Sequence, residues 1–172
     1  IRKYICAVRG VNVYENIKVR KVLVIEHESN ASLKYLGEEI LKYSILYPSF
    51  QSKRYEQSVK NINYLYKTRA TENEIKSKEE LYVLAADNYD FSRISGFHFV
   101  PYEMTCAYTI TFNNLSIVSL YMDDYEYTGG AHGITVRSSD TWNLTTGNKV
   151  GLGGLFGDAE GCKDFIYSEI RN

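Results

Sequence analysis

Thr105-Cys106-Ala107-Tyr108-Thr109-Ile110-Thr111-Phe112, Asn113-Asn114, then Leu115-Ser116-Ile117-Val118-Ser119-Leu120-Tyr121 is the stretch that constrains the architecture most tightly. Both arms are rich in β-branched and aromatic residues with partial period-two alternation, the pattern of strands that bury one face. Asparagine tolerates positive φ, so Asn113-Asn114 predicts a two-residue hairpin turn. Such a turn sets Phe112 opposite Leu115, Ile110 opposite Ile117 and Tyr108 opposite Ser119 on one face. Thr109, Thr111, Ser116 and Val118 take the other.

Downstream, the glycine-rich Tyr127-Thr128-Gly129-Gly130-Ala131-His132-Gly133 predicts a turn into a further strand over about Ile134 to Leu144. Thr146-Gly147-Asn148 then turns the chain back toward Val150 to Leu152. Asp158 to Arg171 reads as a helix with Phe165, Ile166 and Ile170 on its inner side. Upstream, Val19 to Glu28 reads as a strand and Ile5 to Val13 as a weaker one, with Glu28-Ser29-Asn30 as a turn. Glu39 to Tyr47 is a second extended segment stopped by Pro48, which cannot donate to a ladder. Tyr55, Val59, Ile62 and Tyr66 recur at spacings of four, three and four, which defines one helix face with Lys60, Asn63 and Lys67 pointing away. Thr71 to Asn73 is expected to interrupt that helix, and Ser77-Lys78-Glu79-Glu80 to start the next as a capping box leading through Leu81, Ala85 and Ala86.

Strands, then helices, then antiparallel strands predict an α+β fold, a mainly antiparallel sheet with helices packed on one face. The whole of 1–172 reads as one domain: N-terminal strands over 1–50, a helical segment over 51–90, and a sheet and helix over 100–172. A chain of 172 residues buries roughly 70% of its unfolded surface, so a core needs no metal or disulfide to stabilise it. With 20 basic and 21 acidic residues there is no long-range field for nucleic acid or anionic lipid. No apolar run reaches the roughly 18 residues that span a bilayer. The start at Ile1 and not at methionine reads as that of a trimmed fragment, with a signal peptide or anchor expected upstream.

Sixteen tyrosines against one tryptophan suit a half-exposed sheet, a ligand face, or simply a genome rich in such codons. Cys6, Cys106 and Cys162 form no CxxC or Cys/His cluster, which leaves open whether any two are bridged and signals no zinc site. His27, His98 and His132 lack HxxxH or HExxH spacing, and no GxSxG elbow is present, so neither cofactor, metal nor nucleophile is called for. Asp123, Asp124 and Glu126 cluster at a strand end, either as calcium ligands or paired carboxylates, or as a solvated rim. In the GGAHG stretch, Gly129 and Gly130 free the backbone for a tight turn that either only connects strands or presents His132 as part of a ligand surface. Gly151, Gly153 and Gly154 lack the strand and helix of a phosphate cradle and are expected to let Leu152, Leu155 and Phe156 tuck inward.

Together, Tyr125-Glu126-Tyr127-Thr128-Gly129-Gly130-Ala131-His132-Gly133, Trp142-Asn143-Leu144-Thr145-Thr146-Gly147-Asn148-Lys149-Val150 and Leu155-Phe156 resemble the signature of the RsiV-type domain. Tyr47-Pro48-Ser49-Phe50 and Asn61-Ile62-Asn63 carry a weaker likeness upstream. The resemblance implies an extracytoplasmic domain shared by lysozyme-binding anti-sigma factors and the N-terminal part of PdaC-type peptidoglycan deacetylases. This chain departs from both whole proteins, having no transmembrane segment, no anti-sigma helical region and no deacetylase motif. The expectation is a non-catalytic binding or sensing domain of a bacterial envelope protein, with a lysozyme-like protein or cell-wall glycan as partner. Tyr125, Tyr127, Gly129, Gly130, His132 and Trp142 are the candidate ligand-binding residues, and Asp123 and Asp124 a candidate acidic cluster. The alternatives are an accessory domain of a polysaccharide deacetylase, or a hydrolytic enzyme using Asp123, Asp124 and His132.

Overall fold

The computed structural model describes residues 21–155 and 161–171; the segment Ile5 to Val13, the first residues of the Val19 strand, Phe156 and Asp158 lie outside them. Among the described residues six strands form one sheet in the order β1 to β6: Leu23–Tyr35, Glu38–Gln51, Tyr102–Asn113, Ile117–Tyr127, Ile134–Asn143 and Asn148–Lys149. All neighbours are antiparallel except β2 and β3, which run parallel over Leu41–Ile45 and Tyr102–Cys106. A parallel pair needs a long crossover, and here it is the helical segment α1 (Glu56–Ile75), a π-helical stretch (Lys76–Leu81) and α2 (Tyr82–Ser95). The α+β class expected from the sequence is the class observed. A short helix, α3 (Gly161–Arg171), follows the sheet.

The long hairpin β1–β2 turns at Leu36-Gly37, where both φ are positive (51° and 92°), and not at Glu28-Ser29-Asn30, which is mid-strand opposite Leu46, Ile45 and Ser44. Ser and Asn there bond to side chains instead of closing a turn: Ser29 Oγ donates to Glu74 and Asn30 Nδ2 to Glu28. Pro48 does not stop β2 either. It sits three residues beyond the last residue paired with β3, so no ladder on that side loses a donor.

The Asn113-Asn114 hairpin exists, but its register differs from the one expected. Tyr108 lies opposite Met122, Ile110 opposite Leu120 and Phe112 opposite Ser119, with an irregularity between Ile110 and Phe112. The loop is longer because Asn114 Oδ1 accepts from the backbone of both Ser116 and Ile117 (2.8 and 2.6 Å), an Asx-type turn. Asn113 is occupied elsewhere, bonding both backbone groups of Val22 at 2.9 Å. Tyr108 and Ile110 move onto partners of the opposite strand parity, which turns β4 over: Val118, Leu120 and Met122 are buried, while Ile117 and Ser119 are half-exposed.

Val59, Ile62 and Tyr66 are buried on α1, as the spacing predicts; Ala70 continues the stripe, and Tyr55, expected on the same face, is half-buried just before the helix begins. Asn63 does not point away: its side chain accepts from Phe50 N (2.7 Å) and donates to Phe50 O (3.0 Å), tying α1 to the end of β2. No interruption falls at Thr71 to Asn73. The helix instead widens at Lys76, and Ser77 is no N-cap, since its hydroxyl donates to Asn73 O (2.9 Å) from inside the continuous helix. The core has two parts, one around Phe50, Ile62, Tyr66, Leu120 and Leu144, the other around Ile40, Leu41, Ile45, Leu81 and Met104. On α3, Cys162 is the buried residue, whereas Phe165 and Ile170 are largely exposed, contrary to the inner face expected of them. Leu152 is likewise exposed and does not tuck inward. Cys106 and Cys162 are free, buried thiols.

Candidate functional site

β4 ends at Tyr127 and β5 starts at Ile134, so Thr128 to Gly133 form the loop at that end of the sheet. Gly129 and Gly130 hold φ of 96° and 90°, the left-handed region that residues with a Cβ rarely enter. The loop closes on itself: Tyr127 Oη donates to the Gly130 carbonyl at 2.9 Å, and His132 Nδ1 lies 3.1 Å from the Gly133 carbonyl oxygen. A Cβ on Gly133 would stand 2.5 Å from the Tyr125 ring and 2.6 Å from the Glu126 carbonyl oxygen. Only glycine lets the returning chain press onto Tyr125 in this way.

Beneath the loop lies a cavity of about 520 Å³, bordered by Met104, Asp124, Glu126, Asn73, Lys76, Ile134 and Val136 as well as loop residues including His132. Strand alternation puts Asp124 and Glu126 on the side facing the helices. Arg69 Nη2 meets Asp124 Oδ2 at 2.5 Å and its Nη1 donates to Ser138 Oγ at 3.1 Å, while Lys76 Nζ pairs with Glu126. Asp124 Oδ1 is buried and makes no hydrogen bond of ordinary geometry. Beside it, the Cys106 thiol accepts from Asn73 Nδ2 at 3.1 Å. Burial, then the charge and hydrogen bonding of the Asp124 carboxylate, push that thiol up to about 12.

Asp124, Tyr125, Gly129 and His132 thus border one cavity, and Gly130 and Tyr127 lie on the other side of the same loop, next to Phe97, His98 and Phe99. Trp142 does not join them. It is 6% exposed, and its Nε1 donates to Tyr66 Oη at 2.7 Å, which donates in turn to Asp140 at 2.9 Å. A single tryptophan next to a polar strand end reads equally as surface or core from sequence; its indole N–H finds a buried acceptor, so the ring goes inside. Asp123 is on the opposite face from Asp124, in a two-point bond with Arg137 (2.7 and 2.6 Å) that holds its carboxyl below the usual range. Asp123, Asp124 and His132 therefore do not converge on one reacting atom, and the acid–base arrangement considered for a hydrolase is not formed. Among the described residues, no three His, Cys, Asp or Glu side chains are grouped to hold a metal ion.

Sequence reading missed Arg69, which pairs with Asp124, and Asn73 and Lys76, which line the cavity, together with its wall residues Met104, Ile134 and Val136. The first three recur at spacings of four and three, so a polar stripe beside the apolar stripe of α1 was the available signal.

Fold and cavity define a small α+β module with a cleft under the loop at one end of its sheet. The chain belongs to the PdaC family, whose model, described as Deacetylase PdaC, matches residues 37–135. Among solved structures, a DUF3298 family member from Bacteroides fragilis NCTC 9343 superposes with a TM-score of 0.61 at 16% identity, over 88% of this chain and 68% of that one. A DUF3298 family protein from Pseudomonas aeruginosa PAO1 gives 0.50 at 15% identity, over 79% and 58% of the two chains. At such identities the likeness concerns the fold alone. No curated protein matches the chain. The family match and these folds agree with the RsiV/PdaC-type resemblance carried by the YTGGAHG stretch. No described helix is long and apolar enough to cross a membrane.

Proposed function

We propose that this chain is a non-catalytic binding module of a bacterial envelope protein, working outside the cytoplasm, with a lysozyme-like protein as its ligand. The observation that carries this reading is the loop-covered cleft, bordered by Tyr125 and by His132 of the glycine turn, whose other side carries Tyr127, while every carboxylate of the strand end is matched by a cation. Arg137 answers Asp123, Arg69 answers Asp124 and Lys76 answers Glu126. Neutralised carboxylates suit recognition better than proton transfer, which needs a group free to change its charge. Loops fixed on a sheet commonly carry binding.

A second reading, an accessory module of a peptidoglycan deacetylase that holds the glycan, is favoured by the description of the family to which the chain belongs. Calorimetric titration at two salt concentrations separates the two, first with hen lysozyme and then with soluble muropeptides. Saturable lysozyme binding weakened by His132→Ala or Tyr127→Ala supports the first reading. Heat from muropeptides alone supports the second, and silence toward both removes each.

A further inference from the structure

β5 is the last long strand of the sheet, and β6 pairs with it only at Trp142 and Asn143. From Ile134 to about Asp140 one edge of β5 has no ladder partner among the described residues. A free edge is a template for pairing, and natural sheets usually protect it with charges, prolines or bulges. The opposite edge strand, β1, is protected in this way: it carries Glu26, His27, Glu28 and Lys34. β5 is not. Ile134-Thr135-Val136-Arg137-Ser138-Ser139 has one charge, neutralised by Asp123, and pairs with β4 with no bulge or proline. Ile134 and Val136 are 67% and 60% exposed, and both are walls of the cavity beneath the glycine loop.

We infer that the free edge of β5 is a docking strand for an extended segment of a protein partner, one of whose basic side chains enters the adjoining cavity. The inference rests on the reading of the chain as a module for a protein ligand, and names how that ligand is held. Strand addition obtains affinity from backbone bonds and specificity from pockets that receive alternate side chains. Here the pocket lies on the helix-facing side of β5. Ile134, Val136 and Met104 give it an apolar wall, and Asp124, whose other oxygen pairs with Arg69, keeps a buried Oδ1 that makes no hydrogen bond of ordinary geometry. An aliphatic stem ending in an ammonium or guanidinium meets both needs. A second copy of this chain fits less well. It would offer Ile134, Val136, Ser138 or Asp140 from its own β5, none of which joins an apolar stem to a donor, and Asp140 would add a carboxylate.

The test is selection of random seven-residue peptides displayed on phage against the folded domain, followed by fluorescence anisotropy with the winning peptides. The expected winners alternate β-branched with polar residues and share a lysine or arginine at one position. Ile134→Lys, a surface change that leaves folding intact by circular dichroism, lowers their affinity roughly tenfold or more by placing a charge on the edge. Asp124→Asn lowers it roughly tenfold as well, and replacing the basic peptide residue by methionine costs no further loss in that variant. Winners without alternation, no winners, or affinities indifferent to both variants overturn the docking strand. So does a dimer in sedimentation that Ile134→Lys dissociates, since a second copy would then occupy the edge. Lysozyme binding that is unaffected by Ile134→Lys also overturns it while leaving the proposed ligand in place. Peptide binding with silence toward lysozyme does the reverse.

Discussion

Leu36 is the described non-glycine residue with positive φ, and it has no packing reason to be leucine, being 64% exposed at the tip of the β1–β2 hairpin. Two central residues with positive φ define the turn type in which Asn-Gly is favoured, because asparagine enters the left-handed region at lower cost than leucine. Leu36→Asn is expected to stabilise the protein by about 0.5–1 kcal/mol, read as a higher urea midpoint with an unchanged slope; an unchanged or lower midpoint contradicts the strain. Leu36-Gly37 was missed in the sequence because leucine is a poor turn signal, whereas Ser29-Asn30 is a good one that the ladder overrides. Gly133 makes the opposite case. Gly133→Ala drives a methyl into the Tyr125 ring and the Glu126 carbonyl, and the backbone atom cannot yield as a flexible side chain would. The expected result is a displaced glycine loop. Amide chemical shifts of residues 128–134 move while those of β1 and β2 stay, and ligand affinity falls with only a modest loss of stability.

At the level of elements, what could be read from sequence was whatever depends on local pattern. The α1 stripe at Val59, Ile62 and Tyr66 and the existence of the Thr105–Tyr121 hairpin follow from period alone. The hairpin register did not, because it depends on where Asn113 and Asn114 spend their hydrogen-bonding groups, and Asn113 spends them on Val22, 91 residues away. The continuity of the helix through Asn73 to Leu81 was hidden for a related reason: Asn73, within α1, and Ser77, in the π-helical stretch, look like helix-end residues, but their side chains reach Cys106 and Met104 of β3. In the candidate site, the loop was legible through its glycines, while the cavity was not, since Arg69 and Lys76 meet Asp124 and Glu126 only after α1 has crossed the sheet. Asn63 is the clearest such long-range tie. Asn63→Ala leaves both backbone groups of Phe50 without their side-chain partner, and two lost bonds of about 1 kcal/mol each predict a loss of about 2 kcal/mol. Urea denaturation checks this, with Lys60→Ala on the exposed side of the same helix as the near-neutral control.

For the whole molecule, buried neutral donors, Tyr66 of α1 and Tyr108 and Cys106 of β3, set how stability responds to alkali. Burial raises the Tyr66 hydroxyl well above its ordinary range, against a smaller opposing effect of the Trp142 bond. Burial also raises Tyr108 up to about 12, helped by Glu26, and Cys106 up to about 12. In each case the native state holds its proton more tightly than the unfolded chain. The stability so provided is complete below the unfolded values, near 9 for the thiol and 10 for the phenols, and is lost as pH rises through the folded ones. The carboxylates shift the other way. Glu74, lowered by Lys78 and Ser29, and Asp123, lowered by Arg137, contribute stability that disappears only as pH falls through their depressed values; both pairs are solvated enough that this acid limb is shallow. The expected profile is therefore flat from about pH 6 to 8.5 and falls from about 9 toward 12. A single fully buried group adds a slope of up to about 1.4 kcal/mol per pH unit. Cys106 begins to titrate in the unfolded chain before any tyrosine does, so Cys106→Ala should remove the earliest part of the decline, between about pH 9 and 10, even if it lowers stability at neutral pH through lost packing. Urea titrations at pH 7.5, 9 and 10 on both proteins decide it: parallel losses from 9 to 10 would mean that the Cys106 thiol is not held protonated by the core, and a flattened variant would mean that it is.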